Sequence, residues 1–198
     1  QFHDEYNVPP IAAGQLGRQY LDRARYHLRR FQRTQLAEVI KAADLIAGEA
    51  GQGRKIVVAS TGHMSSYFIG RWEDAAWAKN VETHANLPAQ VKSFDTASRD
   101  GALVLRLGYA GLHKDIAELV DRKQQRVVLV TSENPRPEFS CTPRNTVARI
   151  DMGYAFGDAC VAVEGYPLRI LPPSGVMQVA AFEAINVEVL ARLGERPR

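Results

Sequence analysis

Ser60-Thr61-Gly62-His63-Met64-Ser65-Ser66 carries the densest set of ligand-capable groups in this chain. It follows Arg54-Lys55-Ile56-Val57-Val58-Ala59, a run that reads as a buried parallel strand, and it precedes a helical stretch over 67–79. A strand-turn-helix of this kind gathers backbone N–H groups and hydroxyls at the positive end of a helix dipole, where an anion such as a phosphate is held. Gly62 supplies the turn, Thr61, Ser65 and Ser66 supply hydroxyls, and His63 adds a donor. The same composition also suits a turn that binds nothing. The order of the surrounding elements has to decide between the two.

Those elements alternate. Strands are predicted at 55–59, 81–84, 102–107, 126–131 and 158–163, with a short extended piece at 148–151. Helices are predicted at 65–79, 112–122 and 175–193. Alternation of this sort argues for a parallel sheet covered on both faces. Residues 1–13 read as an extended leader, with Pro9-Pro10 blocking a helix. A pair of helices follows over 14–50, the first with Leu16, Tyr20, Ala24, Leu28 and Phe31 on one face. Thr34 is the expected cap of the second, and Gly48, Gly51 and Gly53 end it. The last helix is apolar nearly all round, so it needs cover beyond the sheet, and a partner subunit is the expected source. The segment 132–146, with three prolines, is the longest loop and leaves the carboxyl end of a strand, where open α/β sheets build ligand sites.

Composition limits the classes. The chain has 198 residues and an apolar fraction of 45%, enough for one domain with a substantial core. A balance of 25 basic to 22 acidic residues leaves +3, which gives no case for nucleic acid. The arginines at 18, 25, 29 and 33 read as a solvated helix face. Cys141 and Cys160 form no metal motif, and no His/Asp/Glu/Cys cluster has ligand spacing, so neither a metal nor another cofactor is predicted. No apolar run reaches the roughly 20 residues of a membrane span, and the first residues lack a signal-peptide pattern. A cytoplasmic, soluble protein is the expectation.

The order of pieces resembles the sugar isomerase (SIS) domain, the fold that binds phosphosugars. It is similar to a group of phosphoheptose-isomerase-like bacterial proteins. The resemblance covers about 16–193. It rests on the turn 60–65, the strand 102–107 ending in Gly108-Tyr109-Ala110-Gly111, and the strand 126–131 ending in Thr131-Ser132. Gly157-Asp158-Ala159, Glu164-Gly165 and Leu171-Pro172-Pro173-Ser174 before the last helix complete it. It implies a three-layer α-β-α, flavodoxin-like single domain with a central parallel sheet. It further implies a homo-oligomer, a sugar phosphate or related carbohydrate derivative as ligand, and aldose–ketose isomerisation as the activity. The implied ligand set is Ser60, Thr61, Gly62, Ser65, Ser66, Gly108, Gly111, His113, Ser132, Ser174 and Gln178.

Two departures from the family pattern stand out. The second loop, Gly108-Tyr109-Ala110-Gly111-Leu112-His113, keeps Gly111 and has none of the usual hydroxyls. On the last helix, the family's Gln and His fall on Gln178 and Asn186, and Asn cannot shuttle a proton at neutral pH. Isomerisation needs a base near the migrating proton. Glu183, inside an apolar helix where burial raises a carboxylate's pKa, is the candidate, with His63 serving the oxygens. The alternative is a sensing or regulatory module that kept the fold without the chemistry.

Overall fold

The computed structural model describes residues 6–61, 75–82, 87–109, 111–132, 141–155 and 157–194. Five strands form one sheet: β1 (Ile56–Ser60), β2 (Ala78–Glu82), β3 (Leu103–Leu107), β4 (Arg126–Thr131) and β5 (Thr146–Asp151). All four neighbouring pairs are parallel, in the order β2-β1-β3-β4-β5. Chain order reverses between β1 and β3, and a crevice opens at the carboxyl ends of strands on either side of such a reversal. Around the sheet lie α1 (Gln15–Ala50), α2 (Leu87–Ala97), α3 (Lys114–Arg122) and α4 (Ser174–Leu193).

The strands are buried on both faces, so each reads as a nearly continuous apolar run, and alternate residues feed two cores. Val58, Leu103, Leu105, Leu107, Val128, Val130 and Ile150 pack with α1 and α4. Val57, Ala59, Val104, Val127 and Leu129 pack with Phe94 of α2 and with Ile116, Leu119 and Val120 of α3. This is the three-layer α/β/α architecture that the alternation predicts.

The expected helical pair is one helix of 36 residues. Thr34 does not cap a new start; its hydroxyl donates to the Arg30 carbonyl one turn back at 2.9 Å, a bond made inside a continuing helix. No Gly or Pro interrupts residues 18–47. The helix is about 54 Å long at 1.5 Å per residue, long enough to overrun the sheet. Near its end Glu49 accepts from Arg54 Nε at 2.5 Å and Arg126 Nη2 at 2.6 Å, beneath the amino ends of β1 and β4. At Arg30 it reaches the other edge, where Nη2 donates to Asp151 at 3.1 Å.

Four further expectations differ from what is observed. Helix α2 was not predicted; Pro88, whose missing N–H costs nothing in a first turn, opens it. The stretch 158–163 is no strand. Gly157 and Asp158 have φ of 98° and 47°, which turns the chain, and only Val161 bridges to Ile170. The fifth strand is instead β5, where a short extended piece was expected. Residues 78–79, predicted to end a helix, instead begin β2, which also starts three residues before the strand predicted at 81–84. The apolar last helix does have cover: α1 of the same chain lies over it, with Asp44 bound by Arg192.

Candidate functional site

The crevice at the β1/β3 reversal is built on a buried cation. Arg106 stands in the apolar strand Leu103-Val104-Leu105-Arg106-Leu107 and is 5% exposed. Its Nη1 donates to the Ala59 carbonyl at 3.1 Å and to Thr61 Oγ1 at 2.7 Å, so the guanidinium ties the carboxyl end of β1 to β3. The Thr61 N–H donates to the Leu107 carbonyl at 2.8 Å. Burial lowers the Arg106 pKa to about 10, and the side chain still carries its charge at neutral pH. Gly108 is explained by the same group. A Cβ there would stand 2.7 Å from Arg106 Nη2 and 3.1 Å from Thr61 Cβ, too close for any larger residue without a shift.

On the α1/α4 side of the same edge lies a second, uncharged group. Ser132 follows β4, Tyr154 follows β5, and Gln178 stands one turn into α4. They are 3%, 5% and 1% exposed. The Ser132 hydroxyl, the Tyr154 hydroxyl and both amide atoms of Gln178 make no hydrogen bond of normal length and angle. Burial pushes the Tyr154 phenol well up, while the nearby Gln178 and Ser132 side chains pull the other way. A buried polar group without a partner costs about 1–3 kcal/mol. Four such atoms are gathered at one edge of the sheet, where the Tyr154 phenol lies close enough to Gln178 and Ser132 to be influenced by both.

The remaining expected residues divide. Gly62, His63, Ser65 and Ser66 lie outside the described residues. Ser60 is fully buried at the end of β1, and Gly111 is buried beside Leu112, which pairs with Cys141. His113 caps α3, its Nδ1 accepting from the Asp115 N–H at 3.4 Å. Ser174 is held by Asp158, which takes its N–H at 3.0 Å and its hydroxyl at 2.5 Å. The carboxylate thereby caps α4 from outside and answers the positive end of its dipole. Asn186 accepts from the Trp77 indole N–H at 2.9 Å, and Trp77 stacks on Phe182 at 5.8 Å. Glu183 is half-buried and stands off the buried face that carries Gln178 and Asn186. The five-residue offset from Gln178 to Glu183 rotates it by about 140° from that amide.

Arg106 and Tyr154 were not anticipated. A charged residue within an otherwise apolar strand signalled the first. Nothing local signals the second, because Met152-Gly153-Tyr154 follows a strand that was expected only as a short piece. Among the described residues, no group of three or more His, Cys, Asp or Glu is placed to hold a metal ion, and no helix is long and apolar enough to cross a membrane.

No family model matches this chain, and no curated protein matches it significantly. Solved structures do. One from Bacteroides fragilis, described as a "putative phosphosugar isomerase involved in capsule formation", superposes with a TM-score of 0.55 over 80% of this chain and 81% of its own. The two are 14% identical in sequence, so what they share is the fold.

Proposed function

We propose that this chain binds a sugar phosphate, or a closely related anionic carbohydrate derivative, at the carboxyl edge of its sheet. The observation that carries this reading is the group Ser132, Tyr154 and Gln178, whose buried donors and acceptors lie near one another yet make no hydrogen bond of normal length and angle. Hydroxyls and a carbonyl of a sugar would satisfy them. The anionic end would lie near Thr61, beside the β1/β3 reversal, with Ser65 and Ser66, which follow it in sequence, as further candidate donors. The fold shared with a structure described as a phosphosugar isomerase is consistent with this ligand class.

The finer reading is aldose–ketose isomerisation, with Glu183 as base and His63 serving the oxygens. A second reading, binding without turnover, is favoured by Asn186. It stands where a proton-shuttling His is expected, and its amide is engaged by Trp77. Calorimetry with a panel of sugar phosphates tests the shared claim, and binding by none of them overturns it. Exchange of the substrate C–H proton with deuterated solvent separates the two readings. Exchange that survives in Glu183→Gln removes Glu183 from the mechanism, and no exchange with any bound ligand leaves binding alone.

Self-association belongs to the same proposal. Leu21, Leu28, Leu36 and Ile40 lie exposed along α1. A monomer in sedimentation at micromolar concentration would refute it.

A further inference from the structure

We propose that Arg106 is the charge that makes this site select anions, and that it acts through space as a fixed charge behind Thr61 and the backbone at Gly108 rather than by touching the ligand. The inference rests on the ligand class proposed above and adds its specificity determinant. Three observations meet at this residue. The guanidinium lies buried under the β1/β3 reversal, where the surrounding medium screens its charge poorly. It donates to the carbonyl of Ala59 and to Thr61 Oγ1, so the residue that opens the candidate turn is held by a cation. Finally, Gly108 leaves out a side chain that would collide with Arg106 Nη2, so the backbone at Gly108 passes close to the charge.

This arrangement answers the missing hydroxyls of that loop. Gly108-Tyr109-Ala110-Gly111 has no Ser or Thr to grip a phosphate. A fixed positive charge beneath the backbone supplies attraction without direct contact. It discriminates by ligand charge and is indifferent to sugar stereochemistry. A merely structural role, tying β1 to β3, would weaken all ligands alike.

The test is a charge series measured by calorimetry on the whole chain: a sugar phosphate, the corresponding sugar acid and the neutral sugar, against wild type, Arg106→Met and Arg106→Lys. Unit charges about 8 Å apart at an effective dielectric near 40 give roughly fivefold per ligand charge. Arg106→Met should therefore weaken the phosphate dianion about 25-fold and the carboxylate about fivefold, and leave the neutral sugar within twofold. Arg106→Lys should restore most of the phosphate affinity. Should the Met variant fail to fold, Thr61→Val severs the link and keeps the charge; it should lower phosphate affinity by less than fivefold and preserve the ranking by charge. Equal losses for all three ligands, or a folded Arg106→Met variant with unchanged phosphate affinity, would overturn the inference while leaving the ligand class intact. A wild-type protein that binds no phosphate ester overturns both.

Discussion

At the amino edge of the sheet, Glu49 receives hydrogen bonds from Arg54 and Arg126, and the Arg99 guanidinium stands 3.9 Å away. At the carboxyl edge, Ser132, Tyr154 and Gln178 are more deeply buried and have no such partners among the described residues. In the first group one carboxylate is answered by several guanidiniums; the bond from Arg54, with that from Arg126, outweighs burial and holds the Glu49 pKa at about 2. Among the described residues near that end, only Gln125 Oε1 is a buried side-chain atom without a hydrogen bond. The difference separates groups that stabilise the fold from groups whose cost is offset only when something else binds.

Breaking the amino edge should have the largest effect on stability. Glu49→Ala is expected to cost roughly 3 kcal/mol, at the low end for a paired ion because the guanidiniums reach water. Denaturant unfolding measures this, and sugar-phosphate affinity should stay unchanged. The pH dependence follows with its sign fixed. Glu49 is depressed in the fold from a reference of 4.5 to about 2, so the folded state binds fewer protons than the unfolded one. Its contribution is complete above pH 4.5 and falls as pH drops toward 2. Melting temperature across that window should decline more steeply in wild type than in Glu49→Gln.

Changes at the carboxyl edge should move stability and binding in opposite directions. Gln178→Leu removes two unused polar atoms; it should raise unfolding free energy by about 1 kcal/mol and weaken the ligand about 30-fold. If instead it destabilises the free protein and leaves affinity unchanged, the amide has a structural role and the comparison fails. Tyr154→Phe should show the same opposition on a smaller scale. We expect a gain of about 0.5 kcal/mol in thermal unfolding and a loss in affinity of about fivefold by calorimetry.

Much of the fold was legible because a doubly covered parallel sheet writes its strands as apolar runs. β4 was predicted at its observed bounds, and β1 and β3 to within a residue. The errors came where tertiary context overrides local signs. Thr34 is a good cap in isolation, yet it sits inside a helix because Phe31 and Val39, on either side of it, are both needed in the core. Residues 158–163 have strand composition, but the left-handed backbone at Gly157 and Asp158 prevents extension. The site was less legible. Gln178 could be located from its place on the last helix. Its neighbours Ser132 and Tyr154 come from two other strands, and only the register of β4 with β5, Thr131 beside Asp151, brings them near.

Helix α1 has a consequence for how the protein acquires its structure. One face of the sheet is closed by α1 and α4, elements from opposite ends of the described sequence, joined by contacts such as Arg192 with Asp44. The other face is closed by α2 and α3, which lie between the strands they cover. During synthesis the second layer can form as each strand-helix unit emerges. The first is completed only when residues 174–193 have been made, and until then α1 alone covers the face that carries Val58, Leu105, Val128 and Ile150. Truncation within α4 should therefore leave a chain that forms half of its core and aggregates through the other half.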